Sequence, residues 1–120
     1  MDTKRLGDLG EQAAADYLLS RGYKISARKF RVPVGEIDLI AEKASVVVFV
    51  EVKTRRTVRC GTPAQSVDYC KQQKIIRTAC WYIRQRHLDE RLCRFDVIEV
   101  YCTPGGSFSV RHIENAFEVS

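Results

Sequence analysis

Two acids and one amine in this 120-residue chain are spaced so that they could do chemistry together. Asp38 lies in Gly35-Glu36-Ile37-Asp38-Leu39-Ile40, and Glu51 and Lys53 lie in Phe49-Val50-Glu51-Val52-Lys53-Thr54-Arg55. Both segments are rich in Ile and Val and read as strands, so Glu51 and Lys53, two residues apart, project from one face. Charges among apolar neighbours are expensive to bury, and an acid and a base placed together there need a reason. One reason is a structural ion pair. Another is a divalent-cation site with an attendant ammonium group. Two close carboxylates repel and hold a proton unless a cation sits between them. Mg²⁺ takes oxygen ligands at about 2.0–2.1 Å, commonly one or two carboxylates plus waters and phosphate oxygens. Asp38 and Glu51 would be its side-chain ligands, the Val52 carbonyl a further one, and Mn²⁺ a substitute ion. Such a cation would polarise a phosphoryl oxygen and acidify water. Lys53 could orient that water or stabilise developing negative charge. The set suits phosphodiester hydrolysis and suits glycoside hydrolysis poorly, because a glycosidase has no need of the lysine.

The elements around these residues decide whether they can meet. Strands are expected over Glu36–Glu42 and Val46–Thr54, with a connection so short that an antiparallel hairpin follows. An even loop such as Ala44-Ser45 places Asp38 directly opposite Glu51. A loop of Lys43-Ala44-Ser45 places Asp38 opposite Val50 and sends the carboxylates to opposite faces. The even register also aligns Ile37, Leu39 and Ala41 with Val48, Val50 and Val52, and the pattern favours it. The run Val46–Val50 is apolar on both faces and predicts a central, covered strand. Upstream, Leu6, Leu9, Ala13, Ala14, Tyr17 and Leu18 predict an amphipathic helix from Thr3 to Arg21, ended by Gly22. Tyr23–Phe30 alternates as a first strand. Downstream, Thr62-Pro63 is a helix entry, and a helical region runs from there to His87, with a break near Ser66 and Asp68 as an alternative. Arg94–Cys102 and Ser107–Ile113 complete the strands, separated by Pro104-Gly105-Gly106. The order α-β-β-β-α-β-β implies an α/β fold, a mixed sheet with helices packed on it, in one domain over residues 1–120.

The bulk properties narrow the partners. Net charge is +5. Residues 21–60 carry ten basic against four acidic side chains and residues 61–94 seven against three, while both ends are net negative. A clustered positive field attracts polyanions through phosphates. Arg28, Lys29, Arg31, Arg55, Arg56 and Arg59 are candidate phosphate contacts, with Lys71, Lys74 and Arg77 as a second basic wall or a solvated helix face. Glu36 shares a face with Asp38 or sits at the sheet rim. Arg94 and Asp96 read as a structural pair, and Trp81 and Tyr82 as core or interface. The five cysteines form no Cys-x-x-Cys pair and read as reduced small hydrophobes, which leaves zinc little support. No stretch approaches the roughly 20 apolar residues of a membrane span, and the polar N-terminus is unlike a secretory signal, so a cytoplasmic protein without a membrane partner is expected.

Gly35-Glu36-x-Asp38 followed by Phe49-Val50-Glu51-Val52-Lys53-Thr54-Arg55 resembles the YraN-type family of predicted endonucleases. That family is similar to archaeal Holliday junction resolvases and belongs to the PD-(D/E)xK nuclease superfamily. Gly10-Glu11, Gly61-x-Pro63, Lys74, Ala79 and Arg94-Phe95-Asp96-Val97 also match, so the resemblance covers nearly the whole chain. It implies a restriction-endonuclease-like α-β-β-β-α-β core with an extra C-terminal strand. It also implies a Mg²⁺-type ion on Asp38 and Glu51, Lys53 as the base-like catalytic residue and Glu11 as a further acid. The chain departs from the family at Arg28-Lys29, where Arg-Asn is usual, and this touches no position implied to be catalytic. DNA, with branched or structured forms foremost, is the implied substrate. A homodimer is an open alternative, because resolvase-like relatives act on symmetric junctions as dimers. Two other readings compete: a nucleic-acid-binding module that keeps the fold with little or no turnover, and a protein-interaction domain whose basic strip meets an acidic partner.

Overall fold

The computed structural model describes residues 2–56 and 67–119. The elements are α1 (Thr3–Ser20), β1 (Lys24–Val32), β2 (Gly35–Lys43), β3 (Val46–Arg55), α2 (Tyr69–Gln85), β4 (Leu92–Cys102) and β5 (Phe108–Phe117). The order is the one the resemblance implies, an α-β-β-β-α-β core followed by one more strand. A five-stranded sheet runs β1-β2-β3-β4-β5, and only β3 and β4 pair in parallel, joined through α2. It is a mixed α/β sheet with a helix on each face. No described helix is long and apolar enough to cross a membrane.

Each helix starts on an aspartate. Asp2 accepts the Arg5 N–H at 2.8 Å and Asp68 accepts the Lys71 N–H at 2.9 Å, each satisfying a donor the helix leaves orphaned. Asp68 has extended backbone and α2 begins at Tyr69, so the expectation of unbroken helix through residues 67 and 68 is corrected in favour of a break at Asp68. Thr62-Pro63 and Ser66 lie outside the described residues, as do Gly61, Cys60 and Arg59. The buried stripe of α1 is Leu6, Gly10, Ala14, Ala15 and Leu18, rotated from the expected one, with Tyr17 only partly covered. The rotation brings Gly10 onto β3, where an added Cβ would collide with the Thr54 side chain. Gly35 does the same for α2, since a Cβ there would meet Thr78 Oγ1 at 2.7 Å. These two close approaches set both helices against the end of the sheet that carries Glu51 and Lys53.

The sheet divides the core. Ile37, Ile40, Val47, Phe49, Phe95 and Val97 pack against Ile75, Ile76, Ala79 and Tyr82 of α2. Leu39, Ala41, Val48, Val50, Ile98 and Val100 pack against Ala14, Ala15 and Leu18 of α1. As Val46–Val50 predicts, β3 is the central strand and Val47–Val50 are buried on both faces. Trp81 is about half exposed, while Tyr82 is core.

The hairpin holds the even register. Lys43 pairs with Val46 and Leu39 with Val50 across a two-residue turn in which Ala44 (φ 51°) and Ser45 (φ 68°) are both left-handed. That turn matches the twist of the strands it joins. The alternation then breaks in β2. Ile37 belongs to the α2 core and Leu39 to the α1 core, although residues two apart on a regular strand share a face. On β1, Lys29 at the same level has φ 49° and is skipped by the ladder between Arg28↔Leu39 and Phe30↔Ile37. Ala27 and Phe30, which pair with Ile40 and Ile37, both pack on the α2 side. The strands turn over together at Lys29 and Asp38.

Candidate metal and nucleic-acid site

Asp38 ends the β2·β3 ladder. Beyond Leu39↔Val50 the Val52 N–H goes to Asp38 Oδ2 at 2.8 Å, not to a strand partner. In an antiparallel pair a residue's N–H and C=O face the same neighbour, so the Val52 carbonyl faces the gap that Asp38 opens. Glu51, the residue before Val52, brings its carboxyl close enough to act on the Asp38 proton. Burial, the Glu51 carboxyl and, more weakly, the Glu36 charge push the Asp38 pKa up to about 7, while the Val52 N–H pulls it down. A carboxyl in this condition keeps its proton near neutrality unless a cation replaces it.

The structure brings Asp38, Glu51 and the Val52 backbone together. Lys53 follows on the Glu51 face of β3, and no described residue pairs with its ammonium. Lys71 Nζ stands 3.2 Å from Glu51 Oε2, so the first turn of α2 already supplies a positive charge to the pair. Among the described residues no three acidic, histidine or cysteine side chains converge as a metal cage. Two carboxylates and a carbonyl nonetheless fit an ion that keeps several waters, as Mg²⁺ does.

Glu11 is near but engaged elsewhere. Its carboxylate takes Lys29 Nζ at 3.0 Å, and Lys29 also reaches Asp8 at 3.3 Å. Burial raises the Glu11 pKa, Lys29 lowers it and the Asp38 charge raises it again. These residues, with Gln12, Arg28 and Leu39, line a groove of about 210 Å³ between α1 and β1. The view that the Arg28-Lys29 departure touches nothing catalytic is therefore corrected: Lys29 holds the acid that the resemblance implies to be functional. The other cations are spread. Arg28 donates to Gln12 at 2.9 Å, and Arg31 pairs with Glu36 at 3.1 Å on the sheet rim. Arg55 sits at the end of β3 and Arg56 is exposed just after it. Lys74 and Arg77 are exposed on α2.

Sequence reasoning missed two features. Glu99 is fully buried on β4, beside Lys53 in the parallel register. Its place in the apolar run Phe95–Val100 is the one available signal. Asp96, expected only as a partner of Arg94, anchors a network. It accepts Arg94 Nε and Nη2, each at 2.9 Å, His112 Nε2 at 2.7 Å and the Asn115 N–H at 2.9 Å. Burial works to raise its pKa, but these donors outweigh it and hold the carboxyl below its usual range.

A UPF0102 protein of Symbiobacterium thermophilum is 49% identical over 115 residues, covering 96% of this chain and 98% of its own. One from Clostridioides difficile is 44% identical over 117 residues, covering 98% and 100%. A more distant likeness is to the structure of Pyrococcus furiosus SfsA in complex with Ca²⁺, at 18% identity and a TM-score of 0.46, covering 98% of this chain and 66% of that one. The model described as "Uncharacterised protein family UPF0102" matches residues 10–100, and the chain belongs to that family, the YraN-like group its hairpin resembles.

Proposed function

We propose that this protein is a metal-dependent endonuclease that hydrolyses phosphodiester bonds in DNA, with branched or structured DNA as the first substrates to test. One observation carries the reading: where the β2·β3 ladder ends, the Asp38 carboxylate turns into the gap to accept the Val52 N–H at 2.8 Å, beside the Glu51 carboxyl that acts on its proton. A carboxyl that keeps its proton up to about pH 7 has surroundings that leave its negative charge unsatisfied. A divalent cation there would supply Lewis-acid stabilisation of a phosphoryl oxygen and a source of hydroxide near neutral pH. Asp38, Glu51 and the Val52 carbonyl would hold it. Glu51 and Lys53 share a face, so the ammonium stands beside the reacting phosphate and can stabilise its developing charge. The cationic middle of the chain draws in the DNA backbone and supplies affinity without sequence preference.

The Lys71–Glu51 ion pair favours a second reading, a nucleic-acid-binding module with the nuclease fold and little or no turnover. Cleavage of linear, single-stranded, flap and four-way DNA, with Mg²⁺, with Mn²⁺ and with chelator, separates the two. The nuclease reading expects metal-dependent cutting that Asp38→Ala and Glu51→Ala each reduce at least about a hundredfold. Cutting that survives both substitutions contradicts it, and binding without cutting supports the second reading. A homodimer would present two sites to a symmetric junction, and sedimentation with and without four-way DNA measures that state.

A further inference from the structure

Glu99 has no role in the chemistry above, yet it is the least comfortable charge in the described molecule. Its side chain is 0% exposed, and neither carboxylate oxygen has a hydrogen-bond partner among the described residues. An ionised carboxylate without donors is costly to bury unless nearby cations offset the lost hydration. Two guanidinium groups stand at its edges. Arg55 Nε lies 3.9 Å from Oε2 and Arg111 Nη1 lies 3.9 Å from Oε1. At that distance neither contact is a hydrogen bond, so the attraction is charge alone. The nearest nitrogen is the inner one of Arg55 and a terminal one of Arg111. The Arg111 side chain is 59% exposed and that of Arg55 36%. Lys53 pairs with Glu99 in register on the neighbouring strand. Two guanidinium groups thus flank one buried anion, and the excess is positive.

We propose that Glu99 is a positioning residue that draws Arg55 and Arg111 together into a second phosphate-binding site, for a backbone phosphate flanking the one at Asp38 and Glu51. The fit to phosphate is geometric. A guanidinium that donates no hydrogen bond to the carboxylate keeps its N–H groups for a ligand, and its planar fork matches two phosphate oxygens. The spacing places the contact away from the scissile bond. Arg55 is four residues along β3 from Glu51, about 13 Å, and Arg111 lies two strands across, about 10 Å from β3. The bound strand must therefore extend several nucleotides toward β5.

The proposal rests on the nucleic-acid part of the proposed function, and the test separates the two. Fluorescence anisotropy in chelator measures binding of a labelled duplex across a salt series, for wild type and for Arg55→Gln, Arg111→Gln and Glu99→Gln. Lys24→Gln serves as the control, because Lys24 sits at the hairpin end of the sheet, opposite to Arg55. Arg55→Gln and Arg111→Gln should each weaken binding several-fold and reduce the salt slope by about one. Lys24→Gln should leave the slope unchanged. Glu99→Gln removes a negative charge, so simple electrostatics would tighten binding; the positioning role predicts weaker binding. Unchanged affinity and slope in Arg111→Gln, or tighter binding in Glu99→Gln, overturns the proposal and leaves the nuclease reading standing. A wild-type protein that binds no DNA at low salt overturns both.

Discussion

Asp38, part-buried, and Asp96, fully buried, are both aspartates on sheet strands, and their surroundings drive them in opposite directions. Asp96 lies on the α1 face, where Arg94, His112 and the Asn115 N–H give it four donors at 2.7–2.9 Å. Its charge is satisfied and its pKa is held low. Asp38 receives one described donor, the Val52 N–H, and faces another acid. The more deeply covered of the two is the one whose pKa is held low, so the donor set, not burial, decides the outcome. An acid with a full set of donors is structure. An acid starved of them and placed beside a second acid calls for a cation from outside.

That contrast can be broken in several ways. The largest effect is expected from Asp96→Ala. It leaves Arg94 and His112 without their shared anion and should lower unfolding stability by about 3–5 kcal/mol in denaturant titration; a loss below about 1 kcal/mol would make Asp96 no anchor. Next comes pH. Folded Asp38 holds its proton to about pH 7, whereas the unfolded group loses it near its ordinary value of 3.8. Its contribution is fully present below pH 4 and is lost as pH rises through 7, so metal-free stability should fall across that window by a few kcal/mol. Asp38→Asn should flatten the fall, and an unchanged slope would contradict the assigned cause. Removing the Lys71 ammonium with Lys71→Gln should strengthen Mn²⁺ binding several-fold, because Lys71 competes for Glu51. Weaker binding would show that Lys71 helps to build the site. The smallest effect belongs to Glu36→Ala. Its partner Arg31 is 70% exposed at the sheet rim, so stability should change by less than about 0.5 kcal/mol.

The hairpin was legible because side-chain alternation and loop parity point to one register, the one in which Leu39 pairs with Val50. The central strand was legible because Val46–Val50 is apolar on both faces. What stayed hidden depends on single backbone angles and distant partners. Nothing local marks Lys29 as left-handed, so the shared reversal of β1 and β2 at Asp38 was not foreseen. Asn115 is also left-handed (φ 51°), and its N–H reaches Asp96 where the β4·β5 register shifts between Phe95 and Val97. That contact joins residues far apart in sequence. The same holds for Lys71 on Glu51, which reads from sequence as part of a second basic wall or of a solvated helix face. Glu99 could be seen as an acid among apolar residues, but the guanidinium groups beside it come from two other strands.

The central claim is that Asp38 and Glu51 together bind one divalent cation. Calorimetric titration with Mn²⁺ at pH 7, repeated in buffers of different ionisation enthalpy, tests it without any substrate. One cation per chain should bind with release of the Asp38 proton, and both the binding and the proton should be lost in Asp38→Asn and Glu51→Gln. Equal Mn²⁺ affinity in wild type and Asp38→Asn, or no binding by the wild type, would contradict the claim.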